Sequence, residues 1–205
     1  MDSRTHNCGE LTKKNLNQTV RLFGWVNSTR THGKIIFIDI RDRFGKTQVV
    51  LNQDSLVEKG KTLSNEDVIS ISGTVIARSK DLINDTLETG EIEISVEELE
   101  VLNVSSPLPM SVHDREASTE EHRLKYRYLE LRNAELQRNL IMRHKTTQVV
   151  RNFLTDQNFI EIETPVLTKS TPEGARDYLV PSRVHNGKFY ALPQSPQMYL
   201  SLIHI

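Results

Sequence analysis

Residues 169–183, KSTPEGARDYLVPSR, bring two carboxylates, Glu173 and Asp177, close to two guanidiniums, Arg176 and Arg183. Pro172, Gly174 and Pro181 add turn chemistry to the same run. Charge at that density has two readings, a plain solvated loop or a clamp on a charged substrate. A second pattern is electrostatic. Residues 1–50 carry nine Lys+Arg against four Asp+Glu, and residues 51–105 carry four against twelve. A basic first third fits either a nucleic-acid face or an unevenly charged surface. The single cysteine, Cys8, excludes an internal disulfide framework and a cysteine-based zinc site. No pattern in the 205 residues supplies an evident nucleophile or general base.

The elements that would position these groups follow from hydrophobic period. Residues 19–29, 35–41 and 46–52 read as three strands. In the second, Ile36, Ile38 and Ile40 alternate with Ile35, Phe37 and Asp39, so one face is buried and Phe37 lies on the other. DRFG at 42–45 is a tight turn between strands. Residues 53–66 are polar with weak helical spacing, through Leu56, Val57 and Leu63. Two more strands follow at 68–78, where Gly73 marks a bulge or corner, and at 89–103. Three strands, a short helix and two strands is the order of an OB-fold barrel, although five short strands also suit other small barrels. Trp25 is expected in the barrel core.

SSPLPM at 105–110 breaks the pattern and opens a hinge, 106–133, after a first domain at 1–105. Within the hinge, Ser118 or Thr119 followed by Glu121 signals a short helix. Beyond 134, Leu136, Leu140, Thr147, Val150 and Leu154 predict a long amphipathic helix ending near 156–158. FIEIETPVL at 159–167 alternates like a strand, GKFYALP at 187–193 is another, and Pro196 sits in the first turn of a further helix. No apolar run approaches the ~20 residues of a membrane span. The N-terminus has no signal-peptide core, so the expected location is the cytoplasm and no membrane partner is expected.

The blocks GWVNSTRTHGKIIFIDIRDRFGKTQVV, RLKYRYLELR, FIEIETPVLTKSTPEGARDYLVPSR and GKFYALPQSPQMY resemble bacterial-type aspartyl-tRNA synthetases. These are class II aminoacyl-tRNA synthetases with an N-terminal OB-fold. The resemblance runs from about residue 7 to Tyr199. It implies an all-β barrel for reading the anticodon, then the start of an α+β class II catalytic domain at 134–199, with antiparallel sheet and helices. Asparaginyl and lysyl relatives share the barrel layout, and TPEGARDYLVPSR favours the aspartyl type.

By resemblance, Phe37 stacks on an anticodon base, Gln48 and Glu93 hydrogen-bond bases, and Arg30 and Arg78 lie near the anticodon backbone. The resemblance likewise assigns the aspartate ammonium to Glu173 and the wall of the aspartate pocket to Ser195 and Gln197. KSTPEG resembles the loop that closes over the amino acid. Pro165 is the signature proline of motif 1, which builds a homodimer interface. Most of these residues also have a plain structural reading: Phe37 as core, Ser195 as a helix cap, Pro165 as a strand terminator, and Glu173, Arg30, Gln48, Arg78 and Glu93 as solvated surface groups. Ile76 and Leu82 depart from the family pattern, which often has Arg and Asn there. The implied reaction is ATP- and Mg²⁺-dependent activation of L-aspartate and transfer to tRNA. The arginine motifs that hold ATP and the carboxylates that hold Mg²⁺ are absent from these residues, so no cofactor is expected on this chain and catalysis is not expected from it alone. Leu200 stands where the family has an aspartate-binding lysine. LSLIHI, 200–205, matches one frame of a sequencing adapter and is expected to be a non-native tail. A standalone OB-fold RNA-binding module, without catalysis, is one alternative, and an asparaginyl- or lysyl-type relative is the other.

Overall fold

A computed structural model describes residues 3–170, 176–196 and 199. The chain divides into two compact units, Met1–Ser111 and Val112–Ile205. In the first, strands β1 (Thr19–His32), β2 (Ile35–Arg41), β3 (Lys46–Leu51), β4 (Val68–Ala77) and β5 (Ile92–Asn103) close into a barrel in the order β1-β2-β3-β5-β4. Helix α1 (Asp54–Lys61) joins β3 to β4. Among the described residues only β3 and β5 pair in parallel. This is the OB-fold order expected from the strand pattern.

Period two accounts for the barrel core. Val20, Leu22 and Val26 of β1, Ile36, Ile38 and Ile40 of β2, and Val49 and Leu51 of β3 are fully buried or nearly so. Their sequence neighbours point outward, because alternate strand residues face opposite sides. Trp25 belongs to that outward set and is not a core residue as expected. Its neighbours Gly24 and Val26 face inward, and the Arg41 guanidinium lies 5.6 Å from its ring centroid. At Gly73 the β4–β5 register shifts, and a Cβ there would stand 2.2 Å from the Ser95 carbonyl oxygen. The expected bulge is therefore a point of backbone contact that only glycine permits.

The second unit contains α2 (Glu120–Lys125), α3 (Arg127–Glu130), α4 (Ala134–Asp156), and the hairpin of β6 (Tyr178–Pro181) with β7 (Phe189–Leu192). The Thr119 hydroxyl caps α2 by accepting from His122 N, and the Asn133 side chain caps α4 by accepting from Glu135 N. Glu130 is buried and gathers three guanidiniums, Arg115 at 3.2 Å, Arg123 at 3.1 Å and Arg127.

Two expectations fail in this unit. Residues 159–167 form no strand; Thr168 alone makes a bridge, to Ala191. Alternation specifies which side chains share a face, but a strand also needs a neighbour to take its N–H and C=O groups. Among the described residues no such neighbour pairs with 159–167. Conversely, β6 lies inside the run read as a loop. Its Leu179 and Val180 pair with Ala191 and Tyr190, and Pro181 is tolerated at the strand's end. Helix α4 forms as predicted, yet none of its residues is buried.

Candidate nucleic-acid interface

The outer face of the barrel carries a continuous polar network. The β1–β2 register sets Ser28 opposite Asp39 and Arg30 opposite Phe37, and the β2–β3 register sets Asp39 opposite Gln48. A β-bulge between Val26 and Ser28 puts Ser28 and Arg30 on the outer side. Ser28 Oγ donates to Asp39 Oδ2 at 2.8 Å, and Arg30 Nη2 donates to both Asp39 Oδ1 and Gln48 Oε1 at 3.0 Å. The Gln48 amide then donates from Nε2 to Glu93 Oε2 at 2.8 Å. Arg78, just past β4, donates from Nε to the Ile92 carbonyl at 3.0 Å, with Glu93 Oε2 at 3.8 Å.

The five barrel residues singled out in the sequence thus converge on one face. Phe37 is half-buried there, beside cross-strand partners Arg30 and Val50, while its neighbours Ile36 and Ile38 fill the core. Its ring is held at the surface by strand geometry, as a stacking platform requires. Gln48 is fixed from both ends, its oxygen by Arg30 and its amide by Glu93. Arg78 is the most constrained member. Its side chain is 4% exposed, and its Nη2 is buried with no hydrogen-bond partner among the described residues. Burial pulls its pKa below the ordinary arginine value, opposed by Glu93 and Asp39. A buried donor without an acceptor is costly, so the surrounding packing must hold Arg78 in place. Asp39 and Ser28 belong to this network but were not singled out. The signal was present in the alternation that put Asp39 on Phe37's face.

The second unit gives less. Ser195 and Pro165 are both exposed, Pro165 in an irregular stretch. Glu173 and Gln197 lie outside the described residues. Residues Val150, Leu154, Phe159 and Ile160 line an open groove of about 450 Å³ beside α4. Arg151 closes it with a two-pronged ion pair to Glu161, Nε at 2.8 Å and Nη2 at 2.9 Å. Among the described residues no group of three or more His, Cys, Asp or Glu could hold a metal ion, and no helix is long and apolar enough to cross a membrane.

Comparison with known proteins agrees with the barrel and extends beyond it. Residues 20–102 match the OB-fold nucleic acid binding domain, and residues 119–205 match tRNA synthetases class II (D, K and N). Together these matches take in most of the chain, whose second part is similar to class II tRNA synthetases of the D, K and N group. Within that group it is similar to bacterial aspartate–tRNA ligases. It is 52% identical over 201 residues to the aspartate–tRNA(Asp/Asn) ligase of Ruthia magnifica subsp. Calyptogena magnifica, covering 98% of this chain and 34% of that protein. It is 49% identical over 208 residues to the aspartate–tRNA ligase of Halalkalibacterium halodurans, covering 100% and 35%. The chain thus spans about a third of the length of the curated relatives it matches. The crystal structure of asparaginyl-tRNA synthetase from Pyrococcus horikoshii complexed with asparaginyl-adenylate superposes with a TM-score of 0.84 at 27% identity, over 99% of this chain and 45% of that one.

Proposed function

We propose that this chain is the anticodon-reading barrel and the opening segment of the catalytic domain of an aspartate–tRNA ligase. The observation that carries this reading is the convergence of Arg30, Phe37, Gln48, Arg78 and Glu93 on one face of the barrel. Phe37 stacks on an unpaired anticodon base. Gln48 and Glu93 present an amide and a carboxylate to base edges, which an unpaired loop leaves accessible. Arg30 meets carbonyl or phosphate oxygens of the RNA, and Arg78 lies near the anticodon backbone. The whole enzyme activates L-aspartate with ATP and Mg²⁺ and esterifies it to the 3′ end of the tRNA, in the cytoplasm. Glu173, Ser195 and Gln197 contribute the aspartate contacts.

The apolar groove beside α4, with Pro165 near it in sequence, is the homodimer surface of motif 1. The domain boundaries are 1–105 for the barrel, 106–133 for the hinge and 134–199 for the catalytic segment. A standalone RNA-binding module is the weaker reading, because residues 119–205 match a synthetase family that a pure binding module does not need.

The test is a titration of the chain with an anticodon stem-loop of the aspartate tRNA. Binding should weaken by about tenfold in Phe37→Ala, as loss of one stacked base requires. It should fall steeply with salt, since phosphate contacts release counterions. Equal affinity for a stem-loop with scrambled anticodon bases would overturn the base-reading roles.

A further inference from the structure

The barrel's other end carries an aromatic that the anticodon site does not use. Phe44, in the β2–β3 turn, is 55% exposed, whereas Phe23, Trp25 and Phe37 are half-buried. A lone exposed ring is ordinary. Three further observations set this one apart.

First, its backbone is clamped. Asp42 Oδ1 accepts from Phe44 N at 2.7 Å and from Gly45 N at 3.2 Å, and Asp42 N donates to the Gly45 carbonyl at 3.0 Å. Asp42 Oδ2 in turn accepts from Cys8 N at 2.9 Å, and the backbones of Gly9 and Gly45 touch so closely that a Cβ on Gly45 would stand 2.7 Å from Gly9 Cα. The ring therefore sits on a preorganised turn and loses little backbone entropy on binding.

Second, the flanking cations are unspent. The Arg43 guanidinium lies 5.6 Å from the Phe44 ring centroid, and the ring keeps its exposure with that partner in place. Arg43 and the exposed Lys46 have no ion pair among the described residues.

Third, the turn continues the strands that carry the anticodon site. Cross-strand pairs run Phe37 with Val50, Asp39 with Gln48, and Arg41 with Lys46, and then reach the turn. Phe37 to Arg41 is about 13 Å along β2.

We propose that Arg43, Phe44 and Lys46 form a second RNA contact, at which a nucleotide flanking the anticodon stacks on Phe44 while its phosphate meets Arg43 and Lys46. This rests on the reading of the barrel face as an RNA site. The ligand class is an unpaired or end-stacked nucleotide, because the ring offers a flat apolar surface and the cations offer nothing base-specific.

The experiment uses the full chain and an anticodon stem-loop extended by several nucleotides, with affinity followed by fluorescence anisotropy over a salt series. Phe44→Ala should weaken binding by about fivefold, Phe44→Trp should restore it, and the double variant Arg43→Ala/Lys46→Ala should flatten the salt dependence by about one to two charges. Wild-type affinity in Phe44→Ala, with Phe37→Ala weakened, would overturn this second contact and leave the anticodon site standing. Wild-type affinity in both variants would overturn the RNA reading of the face itself. Weakening in Phe44→Ala that Phe44→Trp fails to repair would overturn stacking as the mode of contact.

Discussion

At the scale of single residues, the barrel face is a relay whose central member is Gln48. It accepts from Arg30 and donates to Glu93, so its amide orientation is dictated from both sides. Gln48→Glu would put a second carboxylate beside Glu93. We expect that variant to lose at least tenfold in RNA affinity while the barrel stays folded, a split that paired binding and thermal-melt measurements would reveal. Glu130 offers a different test, this time of stability. Burial pushes its carboxyl up, but the hydrogen bonds and charges of Arg127 and Arg115 outweigh that and hold it below its ordinary value of 4.5. A depressed carboxylate stabilises the fold above its unfolded pKa and loses that contribution as pH falls through the folded one. Protection of the 112–133 amides against hydrogen exchange should therefore drop as pH falls from about 4.5 downward. Glu130→Gln should abolish that dependence and cost about 3 kcal/mol, since it leaves three guanidiniums around a neutral group. Cys8 will not report on either event. Burial and the adjacent Asp42 push its thiol far up, so it should resist thiol reagents until the barrel opens.

At the scale of elements, legibility followed where each element finds its partners. The barrel strands were readable because each is half-buried within its own unit. The Ile36, Ile38, Ile40 alternation alone fixed which face Phe37 takes, whereas Gln48 was singled out only through the family resemblance. Trp25 departs from the core expectation because of parity along β1. Its neighbours Val20, Leu22, Gly24 and Val26 already occupied the inward positions of β1. Residues 159–167 carry a strand's alternation without a strand's partner, and no single-segment pattern reveals that. The hairpin of β6 and β7 was half missed because its charged approach, Arg176 and Asp177, masked the apolar pair Leu179 and Val180. Asn133 shows an element boundary doing two jobs. Its oxygen caps α4, and its amide donates to the Val112 carbonyl at 3.0 Å and the His113 carbonyl at 3.3 Å. Asn133→Ala should cost about 1–2 kcal/mol, and Asn133→Ser, which keeps the cap alone, should recover about half. Circular dichroism through a denaturant titration would distinguish them.

At the scale of the whole molecule, the two units differ in how far they satisfy themselves. The barrel closes its sheet, leaves no long open edge and buries a continuous core from Cys8 to Leu99. Helix α4 and the segment after it do the opposite. Val149, Val150, Phe153, Phe159 and Ile160 are 66%, 52%, 63%, 64% and 82% exposed. A 23-residue helix draws most of its stability from packing, and this one leaves an apolar face bare among the described residues. Under the dimer reading, a second copy covers it. The chain in solution should then show a concentration-dependent mass, and Val150→Asp with Phe159→Asp should return it to a monomer without changing its affinity for the anticodon stem-loop. Sedimentation velocity beside the RNA titration separates the two functions. Loss of RNA binding in that double variant would mean that the barrel face depends on association, and a mass unaffected by the substitutions would place the dimer surface elsewhere. The barrel's amides should exchange only through global opening in either form, because its hydrogen bonds and core lie within one unit, while the α4 amides should gain protection with protein concentration.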